Sequence, residues 1–143
     1  MSDEDRQQFV DTNILVYAHD TSAGDKNIIA RKLLEGLWER KTGCLSIQVL
    51  QEFYTTISGQ IRNPLESEIA ADILAAVSAW KVHAPDMKDV LRAIEIQRRF
   101  KISFWDAMIV CSAAYLGCDT LWSEDLNDGQ VYEGVRVINP FLQ

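Results

Sequence analysis

No apolar run in this chain approaches the roughly 20 residues that span a bilayer, so no transmembrane helix is expected. Cysteine is scarce: Cys44, Cys111 and Cys118 are the only three in 143 residues. An odd count without close pairing argues against a disulfide framework and fits a reducing cytosol. No His or Cys pair has finger-like spacing, so zinc is not expected. The nucleotide-cradling signatures G-x-x-x-x-G-K-[ST] and G-x-G-x-x-G are both absent. Positive charge is short too, since 14 Lys and Arg against 21 Asp and Glu leave a net charge of −7. That balance repels nucleic acid at long range and counts against a generic DNA- or RNA-coating protein. It leaves room for an enzyme that meets phosphates through a metal and a local basic patch. The opening MSDEDRQQ is polar and acidic, the opposite of a signal peptide, and a cytoplasmic location is expected.

What is present is a globular composition, 48% apolar and 24% charged, in a length suited to one domain. A single domain over residues 1–143 is expected, with residues 1–6 as a loose tail. QQFV reads as a short strand reaching Asp11. Residues 25–40 carry Ile29, Leu33, Leu37 and Trp38 at helical spacing, and Gly43 follows as a stop. CLSI is strand-like, and Ser46 caps a helix through IQVLQEFYTTIS. Asn63-Pro64 opens a helix running to about Trp80. KVHA is a strand candidate, Pro85-Asp86 starts a helix through Arg99, and Ser103 starts another that Gly117 closes. DTLWS and GVRVINPF are the last strands. Strands alternating with helices predict an α/β domain with a mainly parallel sheet, whose ligands bind beyond the carboxyl ends of the strands.

Carboxylates occupy that edge. Asp11 ends the first strand, although Thr12 and Asn13 are good turn residues and the acid could serve only as a cap. Asp125 follows DTLWS, in a loop with Glu124 and Asp128. Asp106 lies in the first turn of a helix that is apolar nearly all round, where a carboxylate is costly unless partnered. Ser103-x-x-Asp106 is also a capping-box pattern, and the two readings are compatible. Glu52 projects away from the apolar stripe of its helix. Converging carboxylates repel one another unless a cation sits among them. An all-oxygen site without His or Cys suits Mg2+ or Mn2+. His19 and His83 have no Ser or Cys partner that the sequence places, and both read as structural or surface residues.

FVDTNILVYAHD, QVLQEFYTT, SFWDAMIVCSAAYLGCDTLWSEDLNDGQ and GVRVINPF together resemble the PIN domain family, especially its VapC-type toxin branch. The resemblance implies a three-layer α/β/α fold and a Mg2+- or Mn2+-dependent ribonuclease, silenced in VapC-type proteins by a partner antitoxin. It implies Asp11, Glu52, Asp106 and Asp125 as the catalytic and metal-holding acids, with Asn13 supporting the first acid and Ser123 in the slot of the family's threonine. Where the family often has a further acid, this chain has Asn127, with Asp128 one residue later. An RNA-processing or repair nuclease without an antitoxin is the alternative, and a non-catalytic RNA- or protein-binding module is another. Arg31-Lys32, Arg92 and Arg98-Arg99 with Lys101 are the candidate RNA contacts. A homodimer is expected, partly from the resemblance and partly from apolar residues on the helices, including Trp38, Trp80 and Phe53.

Overall fold

The structure, a computed structural model, describes residues 6–143. Among these residues, six short strands form one sheet: β1 (Gln8–Val10), β2 (Gly43–Ser46), β3 (Lys81–His83), β4 (Thr120–Trp122), β5 (Val131–Tyr132) and β6 (Val135–Ile138). Their order is β3-β2-β1-β4-β6-β5. All neighbours are parallel except β5, which runs antiparallel to β6. Six α-helices accompany them: α1 (Thr12–His19), α2 (Asp25–Arg40), α3 (Ile47–Ile57), α4 (Ser67–Val77), α5 (Met87–Phe100) and α6 (Phe104–Tyr115). This is the α/β fold with a mainly parallel sheet that the alternating pattern predicts. Phe9 is in register with Cys44 and Leu121, and Leu121 with Val137. All four side chains are fully buried, so the strands centre the core. Such burial is why each strand reads as a short apolar run without polar alternation.

Several boundaries differ from the sequence reading. The tail assigned to residues 1–6 lies outside the described residues except for Arg6, which donates to Asp119 at 3.1 Å. Helix α1 fills the stretch where Thr12 and Asn13 suggested only a turn. Asp11 caps it with extended backbone, and Ile14, Leu15, Val16 and Ala18 all go inward. Asn63-Pro64 precedes α4 without starting it, because the helix begins at Ser67. Gly43 is not the stop of α2. That helix ends with Lys41 in the left-handed region (φ 58°), while Gly43 lies in β2 beneath the Trp80 ring. A Cβ on Gly43 would meet that ring at 2.4 Å, so the close approach requires glycine. Phe53, expected among outward apolar residues, is fully buried, whereas Trp38 keeps 48% of its surface exposed.

Helix α6 is less enclosed than its composition suggests. Residues 107–113 are buried, but Trp105 and Tyr115 are 64% and 68% exposed. Ser103 caps the helix, accepting the Asp106 N–H at 3.0 Å. Among the described residues, no helix is long and apolar enough to cross a membrane.

Candidate metal centre

Asp11 lies at the carboxyl edge of the sheet because β1 stops there and α1 begins. Its backbone N–H donates to the Trp122 carbonyl at 2.9 Å. Its Oδ1 accepts the Thr12 N–H at 2.7 Å, and its Oδ2 accepts the Ser123 hydroxyl at 2.7 Å. The side chain is 4% exposed. Burial pushes its carboxyl up to about 7, against the opposing pull of those two hydrogen bonds. The carboxylates of Asp125 and Asp106 contribute smaller parts of that rise.

Ser123, the last residue before the acidic loop, does double duty. Its Oγ donates to Asp11 and accepts the Asp125 N–H at 3.1 Å. Asp125 is exposed, yet partial desolvation, then Asp106 and Glu124, raise its carboxyl. Asn13 acts in the opposite direction on Asp125, although its amide makes no hydrogen bond of ordinary length: Nδ2 and Oδ1 are both buried without a partner. Ser123 is the side chain that bonds to Asp11, and Asn13 lies beside Asp125 in the same cavity. Asp106 is half-buried at the start of α6, and its charge reaches both Asp11 and Asp125. Asp11, Asp106 and Asp125 thus share one electrostatic neighbourhood.

Glu52 is exposed on α3. Its Oε1 accepts Gln48 Nε2 at 2.7 Å, and the same Gln48 nitrogen donates to the Trp105 carbonyl at 3.2 Å. A cavity of about 330 Å3 brings Glu52 together with Thr12, Asn13, Tyr17, Asp20 and Asp125. Asp128 faces elsewhere: its Oδ1 accepts the Asn139 N–H at 2.8 Å, which fastens the loop to the segment after β6. Asn127 bonds to Gln130 within its own loop.

The donor set suits a hard cation. It is all oxygen, it concentrates like charge, and Asn13 adds an amide left without a partner beside Asp125. Among the described residues, no three acids, histidines or cysteines stand close enough to enclose an ion directly.

Two features escaped the sequence reading. His83, 4% exposed, has its Nδ1 at 2.8 Å from Ser112 Oγ and its Nε2 at 3.1 Å from Asp89. It therefore has the serine partner that sequence distance concealed. Ser112 is only 1% exposed, so the group joins β3, α5 and α6 and offers no nucleophile to a substrate. The second is the grip of Tyr17 and Lys26 on Glu124. Of the candidate RNA contacts, Arg92 and Arg99 are engaged by Glu133 at 3.0 and 3.4 Å. Arg31, Lys32, Arg98 and Lys101 are exposed.

A sequence model of the PIN domain matches residues 9–132. No curated protein matches significantly. Among solved structures, FitAcB from Neisseria gonorrhoeae aligns with a TM-score of 0.69 and 16% identity, covering 94% of this chain and 99% of that one. Mycobacterium tuberculosis VapC20, described as a toxin that cleaves the sarcin-ricin loop, aligns at 0.64 and 20%, covering 83% and 90%. DNA-bound VapBC from Salmonella typhimurium aligns at 0.65 and 17%, covering 92% and 96%. At these identities the likeness is one of fold.

Proposed function

The chain belongs to the PIN domain family, and from that premise we propose that it is a metal-dependent endoribonuclease of the VapC type, the toxin half of a toxin–antitoxin pair. One observation carries the reading. A buried carboxylate, Asp11, shares its field with Asp106 and Asp125 at the edge of a parallel sheet, and burial holds its carboxyl near 7. Asp11 also caps α1, but ionising it there is costly, and carboxylates so perturbed cluster at functional sites. A cation would offset that cost.

Asp11, Asp106 and Asp125 are the residues that would hold Mg2+ or Mn2+. When bound, such an ion supplies Lewis acidity, acidifying water and offsetting negative charge on a phosphodiester. The remaining work falls to the chain. Thr12 and Ser123 orient the Asp11 carboxylate. Asn13 favours the ionised form of Asp125. Gln48 occupies Oε1 of Glu52, which leaves Oε2 to orient a water for in-line attack. Arg31, Lys32, Arg98 and Lys101 supply exposed positive charge for the RNA backbone. The whole chain acts as one nuclease domain. Its partners are an antitoxin protein, as the VapC-type resemblance implies, and a second copy, for which Trp38 is the exposed apolar anchor.

Cleavage of single-stranded RNA by the purified chain, with Mn2+ and with EDTA, tests the reading beside an Asp106→Asn control. Mn2+-dependent cleavage that the control lacks supports it. Cleavage that persists in EDTA or in the control refutes it. Mn2+ binding without any cleavage would favour a non-catalytic module.

A further inference from the structure

The SEDLND loop places Glu124, Asp125 and Asp128 within five positions, and each has a different environment. Asp128 is tied to the Asn139 N–H at 2.8 Å. Asn139 in turn accepts the Phe141 N–H at 2.9 Å. Glu124 is drawn to the other flank, where it accepts the Tyr17 hydroxyl at 2.7 Å and forms an ion pair with Lys26. The Lys26 ammonium also lies 5.0 Å from the centre of the Tyr17 ring and 5.2 Å from that of Phe141. Phe141 meets Tyr17 edge-on at 5.3 Å. The loop is thus gripped on both sides, and Asp125 is the acid of the three that lines the cavity with Asn13 and Glu52.

We propose that Lys26 and Tyr17 are positioning residues for Asp125: by holding Glu124 against α1 and α2, they fix the loop backbone that presents Asp125 to the cation. This rests on the metal-dependent reading above and deepens it. Glu124 is next in sequence to Asp125, and its charge is felt there. Held between Tyr17 and Lys26, Glu124 fixes the backbone next to Asp125, which lines the cavity. A stabilising role predicts something different. The Lys26 side chain is 43% exposed, and an ion pair of that exposure contributes little to folding. Its removal should barely change stability and should act on the metal site instead.

The charge-neutral double variant Lys26→Met/Glu124→Gln separates the two roles. Mn2+ affinity is measured by titration calorimetry, and amide hydrogen exchange of residues 123–128 is followed in EDTA. The expected result is about tenfold weaker Mn2+ binding, the scale of lost support behind a metal ligand. The Asp125 amide should exchange faster, with melting lowered by no more than about 3 °C. Lys26→Arg should retain the parent affinity. Affinity in the double variant within about twofold of the parent overturns the proposal, as does a loss that merely tracks a large fall in melting temperature. A parent chain that takes no Mn2+ overturns the proposal together with the metal-dependent reading. A parent that binds Mn2+ but cuts no RNA removes only the ribonuclease reading, and the double variant still decides the proposal.

Discussion

Removing metal should make this protein less stable as pH rises, and Asp11 sets the size of the effect. In the folded chain its carboxyl titrates near 7, against an ordinary value of 3.8. Between those limits the folded state binds the proton and the unfolded state does not. Protonation therefore stabilises the fold fully below 3.8, and the benefit declines as pH rises toward 7 and is gone above it. At about 1.4 kcal/mol per pH unit the whole term is about 4 kcal/mol. About 3 kcal/mol of it falls between pH 4.5 and 8.5. Asp11→Asn removes the titration. It keeps an oxygen for the Thr12 N–H and offers an N–H to Ser123 Oγ, at a cost of about 1 kcal/mol for the altered bond.

The two proteins should accordingly be close in stability at pH 4.5 in EDTA. At pH 8.5 the variant should be the more stable by roughly 2 to 3 kcal/mol, which is on the order of 10 °C in melting temperature at this chain length. Urea denaturation at five or six pH values measures the difference directly. A parallel pair of pH profiles, or a variant less stable at pH 8.5, would refute the reasoning. It would mean that Asp11 is ionised in the fold and stabilised by its hydrogen bonds alone.

Mn2+ should raise the melting temperature of the parent more at pH 7.5 than at pH 5, because the ion competes with protons for Asp11 and Asp125; scanning fluorimetry at saturating metal checks this. Asp106→Asn should abolish RNA cleavage and keep its helix, since the Ser103 cap bonds to the Asp106 backbone and not to its side chain. Glu52→Gln should cut the cleavage rate by about 100-fold with Mn2+ affinity little changed, as expected of a group that orients water; an unchanged rate would return Glu52 to the surface. Gly43→Ala should destabilise by on the order of 2 kcal/mol in urea titrations, because its methyl would sit 2.4 Å from the Trp80 ring.

The parallel sheet was legible because buried parallel strands leave a plain trace: short apolar runs bounded by caps and glycines. Asp11 and Asp125 could be assigned to one edge because successive parallel strands all end there. Helix α1 was not legible, since Asp-Thr-Asn is as good a turn as it is a helix start, and the helical residues that follow, Ile14 to His19, show no polar face. Strand β5 spans two residues, too few for any period to show. Gly43 misled for a physical reason: a glycine after a helix normally supplies the left-handed turn, but here Lys41 takes that conformation and the glycine makes room for an indole. The grip on Glu124 was beyond reach, because its partners lie 98 and 107 residues away in sequence. The same holds for His83 and Ser112, 29 residues apart.

A chain of net charge −7 that is to approach RNA has to deal with its acids one by one. Around the candidate centre each is treated differently. Glu124 is neutralised by Lys26, and Asp128 is used up on a backbone amide. Asp11 is buried against a hydroxyl and an N–H that tolerate either protonation state. Asp106 and Asp125 remain within each other's field, and Glu52 adjoins the cavity under the restraint of Gln48. The acids left unneutralised are those best placed for a cation, and binding one would offset much of the negative charge at the edge that, on the proposed reading, a phosphodiester approaches. On this reasoning RNA affinity should depend on metal before any bond is cut. A catalytically impaired Glu52→Gln chain should bind single-stranded RNA more tightly in Mn2+ than in EDTA, by about tenfold if one divalent charge is gained. Equal binding in the two conditions would mean that the exposed lysines and arginines hold the RNA unaided, and that the edge carboxylates act on it only during chemistry.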